Sequence, residues 1–323
     1  WALGSKTPLE IIGSGSKRDF GHAVASDHVL DLSKLTGVLF YEPEELVMSV
    51  RAGTSLAEIQ GLLREKNQQF HFETGNFPGL LGDGVADHAG TIGGLIATNL
   101  SGPRRIKVGA ARDHILGFEA ISGRAEDFKS GGRVMKNVTG FDLSKLMSGS
   151  FGTLGVMHTI TLKVMPRDVE GPAPSVAWRC EALRKLLADI GASEELHSTN
   201  SEAFWAAVAD VAPFAGGSGL LWRVSVPPAS GGDVAATLAA ETGGAIMMDW
   251  AGAQIWLRLP GADVADAMVD KTRQIALAAD GRAVLVRAPV DIRNRISVFQ
   301  SEDAALARIN AKIRANFDPA AIL

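Results

Sequence analysis

The stretch Gly90-Thr91-Ile92-Gly93-Gly94-Leu95-Ile96-Ala97-Thr98-Asn99-Leu100-Ser101-Gly102 surrounds a short apolar run with glycines and with hydroxyl and amide side chains. A buried helix between glycine caps accounts for the apolar residues, but few cores need so many small residues in one place. The composition suits a helix that begins at residues 91–93, with its unpaired N–H groups and positive dipole end facing an anion.

Two further segments carry the same chemistry. Ile11-Ile12-Gly13-Ser14-Gly15-Ser16-Lys17 places a small-residue turn directly after an apolar strand, where successive N–H groups can converge on a phosphate and Lys17 adds a charge. Taken alone it is equally an ordinary tight turn. Its spacing matches neither GxGxxG nor GxxxxGK[ST], which counts against the dinucleotide-fingerprint and P-loop readings. The third segment, Lys136-Asn137-Val138-Thr139-Gly140-Phe141-Asp142-Leu143-Ser144-Lys145-Leu146-Met147-Ser148-Gly149-Ser150-Phe151-Gly152-Thr153-Leu154-Gly155-Val156, is a Gly/Ser/Thr loop running into a strand.

Hydrophobic patterning around these segments predicts strands over 9–12, 29–32, 38–41, 46–50, 115–121 and 153–164. It predicts helices over 55–66, where Leu56, Ile59, Leu62 and Leu63 recur at helical spacing, and over 143–147. From residue 176 the pattern restarts: strands over 176–179, 220–226, 254–259 and 283–287, with helices over 182–190, 202–208, 234–241 and 264–279. Residues 166–174, with three prolines and Gly171, suit a connection between two domains, the number expected for a chain of 323 residues.

The order and spacing of the three glycine segments resemble the vanillyl-alcohol oxidase, or PCMH-type, family of FAD-binding proteins. The first two are similar to its pyrophosphate loops and the third to its TGYDL…GSxGTLG stretch. Thr98-Asn99-Leu100-Ser101-Gly102-Pro103-Arg104-Arg105, followed by Ala111-Arg112-Asp113-His114-Ile115-Leu116-Gly117, resembles the FAD-binding subunits of bacterial glycolate oxidases. The likeness covers nearly all of 8–166 and continues more loosely at 210–214, 221–227 and 317–319. Catalytic relatives carry Glu where this chain has Phe151, which favours an accessory FAD subunit.

The resemblance implies an α+β fold. A PCMH-type FAD-binding domain of two α/β subdomains would span residues 1–168 and a smaller α+β cap domain 169–300, with 301–323 returning to the FAD domain. It also implies a site. Main-chain N–H groups of Gly13, Ser14, Gly15, Ser16 and Lys17, and of Thr91, Ile92, Gly93 and Gly94, would hold the diphosphate, with Gly90 in the same cofactor-binding set. Ala97, Thr98 and Ser101 would line the flavin side, and Gly152, Gly155 and Val156 would border adenine or ribose. A buried diphosphate carries a heavy desolvation cost that paired N–H donors offset. Covalent members bear His at the position of Ser16 or Cys in the cap. Ser16 cannot form that bond and Cys180, the single cysteine, lies in no attachment motif, so the FAD is expected to be non-covalent.

Composition narrows the remaining classes. One cysteine excludes an internal disulfide or a four-thiolate iron–sulfur site, and a net charge of -4 with no basic run argues against nucleic acid. No stretch reaches the roughly 20 apolar residues that span a bilayer, so the expectation is a cytoplasmic protein, or one peripheral to the inner membrane through its complex. Starting at Trp1 and ending just after Asp318-Pro319, the sequence reads as trimmed at both ends. Metal-using relatives carry a HxGDGNxH-like motif and further cap histidines; residues 172–323 hold only His197, so no metal site is expected.

No catalytic residue is assigned. His71, Glu73 and His88, around the loop 73–89, are the only candidates for a base, while Arg223, Arg287 and Arg293 are as readily structural as carboxylate-binding. The reading is an FAD-binding electron-transfer subunit of a glycolate oxidase complex, partnered by a catalytic flavin subunit and an iron–sulfur subunit. The alternatives are a free-standing flavin dehydrogenase of a small 2-hydroxy acid and a structural subunit with a vestigial FAD site.

Overall fold

The computed structural model describes residues 1–75, 77–81, 90–132, 141–167, 183–185, 187–188, 191, 194, 196, 198–217, 219–259, 261 and 266–323. After a single helical turn at Ala2–Ser5 comes a short parallel pair, β1 (Glu10–Ile12) and β2 (Val29–Asp31). Then come β3 (Val38–Glu42), β4 (Val47–Arg51), β5 (Gln68–Gln69), β6 (Ile115–Ile121), β7 (Asp127–Gly131), β8 (Val156–Lys163) and β9 (Met165–Pro166). Five of these make an antiparallel sheet in the order β3-β4-β8-β6-β7, and β5 pairs with β9 beside it.

β4 lies inside this sheet, and Val47, Met48, Ser49 and Val50 are all buried. The one polar side chain among them is satisfied, because Ser49 Oγ bonds Thr161 Oγ1 at 3.0 Å. Against the sheet lies the helix Leu56–Glu65, started by Ser55 accepting the Glu58 N–H at 3.1 Å. Its Leu56, Ile59 and Leu63 share a core with Ile92, Leu95 and Ile96 of the helix Ile92–Thr98. Burying each such side chain contributes about 1.5–3 kcal/mol. The glycine-bearing helix is therefore anchored by its apolar edge, and its small-residue edge stays free for a ligand.

The second sheet is also antiparallel, with β10 (Leu220–Ser225), β11 (Ala245–Asp249), β12 (Gln254–Leu259) and β13 (Arg282–Arg287) in the order β11-β12-β10-β13. One face packs Trp222, Val224, Ile255 and Leu257 with Leu238 of the helix Gly231–Thr242 and Ala276 of the helix Asp266–Ala278. The other face packs Leu221, Trp256 and Val286 with Phe20, Leu80, Leu81 and Leu100 of the first half. Both faces are buried, which is why β10 and β12 read as nearly continuous apolar runs instead of alternating ones. The two halves are pinned where the buried Arg287 guanidinium donates to the carbonyls of Leu80 at 2.7 Å and Phe214 at 2.9 Å.

The architecture is α+β. The expected strand over 153–164 begins only at Val156, since residues 153–155 belong to a turn in which Thr153 N–H donates to Ser150 O at 3.0 Å and Gly155 N–H to Gly152 O at 3.2 Å. Patterning missed β7, β11 and the C-terminal helix Ala304–Phe317. The expected strand 176–179 lies outside the described residues, as do parts of the helix 182–190 and of the connection 166–174; residues 183–185 and 187 are helical. The C-terminal helix packs Ile313 and Phe317 onto the first core, and Leu9 N–H donates to Ile322 O at 2.9 Å.

Candidate functional site

The three glycine segments meet because glycine lets them. A Cβ at Gly13 would collide with the Thr91 side chain, so the turn after β1 can lie directly on the start of the helix Ile92–Thr98. Thr91 caps that helix, its hydroxyl accepting the Gly94 N–H at 3.3 Å. From the third segment, Gly149 N–H donates to Ile96 O at 3.0 Å and Phe151 N–H to Ala97 O at 2.9 Å. Phe151 (φ 55) and Gly152 (φ +83) turn the chain back toward β8 through the left-handed region.

Between these segments lies a cavity of ≈ 800 Å³, within the roughly 300–1,000 Å³ usual for small-molecule and cofactor sites. Gly13, Ser14, Gly15, Ser16, Lys17, Thr91, Gly94, Ala97 and Thr98 line it. Among the described residues, the N–H groups of Ser14, Gly15, Ser16 and Lys17 donate to no carbonyl. They are available as a main-chain nest for an anion.

Lys17 is half-buried beside this nest, its ammonium 3.3 Å from Ser16 Oγ. Added Cβ atoms at Gly90 and Gly94 would stand 2.9 and 3.9 Å from the Lys17 Nζ. Burial lowers the Lys17 ammonium to about 8, and no described carboxylate lies within ion-pair distance to offset it. A cation held in a desolvated niche beside free N–H donors fits a diphosphate-bearing cofactor such as FAD.

Other expected site residues stand behind the cavity wall. Gly90, Ile92, Gly93, Ser101, Gly152, Gly155 and Val156 do not line it. The Ile92 and Gly93 N–H groups donate to Thr54 O at 3.1 Å and Ala52 O at 2.9 Å, so the turn after β4 takes two of the donors that had been expected to meet the diphosphate. An added Cβ at Gly155 would stand 3.1 Å from the Ile121 carbonyl oxygen and 3.2 Å from the Phe128 ring, so this glycine serves packing against β6 and Phe128, and Val156 is a buried strand residue. Their neighbours Ser150, Phe151, Thr153 and Leu154 line the cavity instead. Sequence reasoning also missed Ile11, His22, Phe299, Asn310 and Arg314. Those from 299 onward had no legible signal, because they come from a surface helix and the loop before it.

The acid–base candidates are mostly committed. Glu73 accepts from Arg104 Nε at 2.7 Å, His71 stands edge-on to His114 at 5.5 Å between ring centroids, and His88 lies outside the described residues. Arg293 donates to Asp19 at 2.8 Å and to Arg18 O at 3.2 Å. Among the described residues the Arg223 side chain makes no hydrogen bond or ion pair; burial, with Arg105 nearby, lowers its guanidinium to about 10. His22 lies on the cavity wall, its ring 5.5 Å from that of Phe299, and burial and Arg273 both lower its pKa.

Residues 1–127 match the sequence profile of an FAD binding domain. Glycolate oxidase subunit GlcE of Escherichia coli strain K12 is 30% identical, the alignment covering 99% of this chain and 92% of that protein. A D-lactate dehydrogenase of Anaerostipes hadrus is 34% identical over 43% of this chain and 27% of its own length. Glycolate oxidase subunit GlcD of Bacillus subtilis is 32% identical over 34% of this chain and 23% of its own. Of these three, only the first extends over nearly the whole chain.

Proposed function

This chain belongs to the family of the glycolate oxidase subunit GlcE, and from that premise we propose that it holds FAD for the oxidation of glycolate within a multi-subunit complex. The observation that carries this reading is the cavity between β1 and the helix Ile92–Thr98, with its unspent N–H groups at 14–17 and the uncompensated Lys17. Bound FAD supplies acceptance of hydride or electrons. The protein's own part is to bind the diphosphate through the 13–17 turn and Lys17, and to accept the rest of the cofactor along Gly94, Ala97 and Thr98, where small side chains allow close approach.

The FAD is held without a covalent bond, because Ser16 offers no nucleophilic nitrogen or sulfur. Acid precipitation of the purified chain is therefore expected to release all the yellow colour into the supernatant. Colour retained in the pellet would contradict this.

The chain acts through partners, which we propose to be a catalytic flavin subunit and an iron–sulfur subunit. Glycolate oxidation requires a base for the hydroxyl proton. The carboxylates and imidazole on the described cavity wall are Glu10, Glu302 and His22, and Glu302 already accepts from Asn310 at 2.7 Å. Glu10 is held by both nitrogens of the Arg18 fork, at 2.7 and 2.5 Å, and His22 is packed against Phe299. Anaerobic mixing with glycolate is the decisive experiment: the flavin of the isolated, FAD-loaded chain stays oxidised, whereas the assembled complex bleaches. Fast bleaching of the isolated chain would establish an independent dehydrogenase.

A further inference from the structure

Part of the cavity wall comes from the last two dozen residues of the chain, far from the glycine segments in sequence. Phe299, Glu302, Asn310 and Arg314 line it. The C-terminal helix Ala304–Phe317 buries none of its side chains fully, although Ile313 and Phe317 touch the first core. Its other edge borders the cavity, so a ligand there would bury surface that the fold leaves exposed.

The helix sits beside the third glycine segment. The Phe317 ring lies 5.6 Å from that of Phe128, and Phe128 is the ring that occupies the space beside Gly155. Phe299 stands edge-on to Phe151 at 5.4 Å, extending an aromatic wall that includes Phe20. Asn310 donates its amide to the Glu302 carboxylate at 2.7 Å, and both belong to the rim. An aromatic edge, a carboxylate–amide pair and a planar guanidinium together suit a purine riboside: rings and guanidinium for the base, the carboxylate for ribose hydroxyls.

We propose that the C-terminal segment binds the adenosine half of FAD, with Phe299, Glu302, Asn310 and Arg314 as its contacts. This rests on the reading of the cavity as the FAD site. The segment is tied to the diphosphate turn through Leu9, whose N–H donates to Ile322 O one residue before β1, so a single ligand engages both ends of the chain.

The test is calorimetric titration of the full chain with FAD and with FMN, which lacks the adenosine half, in wild type, Arg314→Gln and Glu302→Gln. Both side chains are exposed, so the fold should survive. Loss of one polar or charged contact at each position is expected to weaken FAD about 5–20-fold, with FMN affinity unchanged. Unchanged FAD affinity would overturn the proposal, and so would an equal loss for FAD and FMN, which would mark a general effect on the fold. A wild-type chain that binds neither flavin would overturn the FAD reading of the cavity itself, a result distinct from failure of the variants.

Discussion

A Gly94→Val chain is expected to fold normally and to bind FAD about 50- to 100-fold more weakly than wild type, the equivalent of about 2–3 kcal/mol of overpacking in the site. Gly94 lines the cavity, and an added Cβ would stand 3.4 Å from Thr91 Oγ1 and 3.9 Å from the Lys17 ammonium. Its backbone is not in the left-handed region, so a branched residue meets no conformational strain there. The two extra methyl groups of Val would fill the space the diphosphate needs. Gly93→Val should behave differently. Its Cβ would lie 2.9 Å from Ala52 O and 3.0 Å from Ala52 Cβ, forcing the helix off the sheet. The expected result is a lower melting temperature already in the FAD-free protein. Circular dichroism melts and FAD titrations of the pair separate the two roles, and normal FAD affinity in a folded Gly94→Val chain would remove Gly94 from the site.

Replacing Lys17 with Met is expected to weaken FAD about 10- to 100-fold, the usual worth of a hydrogen bond between charged groups, while stabilising the FAD-free chain. The two effects have one cause. Burial lowers the ammonium to about 8 from 10.5 in an extended chain, so the unfolded state binds more protons between those values. Through this group, the stability of the FAD-free protein therefore rises with pH from about 8 to 10.5. The destabilising cost is present in full below that window and lost above it. A bound diphosphate favours the charged form and raises the Lys17 pKa. FAD affinity should then be tightest below pH 8 and fall by up to about tenfold per unit above it. Lys17→Met removes that pH dependence. A variant whose FAD affinity still fell steeply between pH 8 and 10 would show that another group is responsible.

Much of this protein was legible from residue order. Strands at 115–121 and 254–259 coincide with β6 and β12, because local apolar patterning specifies them. The helix carrying Leu56, Ile59 and Leu63 follows from its 3.6-residue period and its Ser55 cap. The clustering of glycine with small polar residues was enough to imply backbone recognition of a phosphate, and the order of the segments to imply a flavoprotein of the PCMH-type family.

What a sequence cannot display is which way each glycine faces. Gly93 and Gly94 are adjacent and chemically identical, yet one serves the docking of a helix on Ala52 and the other borders the cavity. That difference arises from helix rotation, which is set by the burial of Ile92, Leu95 and Ile96. Gly155 likewise serves packing, against the Ile121 carbonyl and the Phe128 ring. The helix Ala304–Phe317 showed no site signal, since its role depends on a cavity formed with residues some 150 to 300 positions earlier. By itself the sequence determined the strands and helices with strong apolar patterning, though not β7, β11 or the last helix, and the kind of ligand. The division of small residues between packing and binding, and the contribution of the chain's last helix to the cavity wall, were decided by tertiary contacts, because only packing sets which edge of each element remains for a ligand.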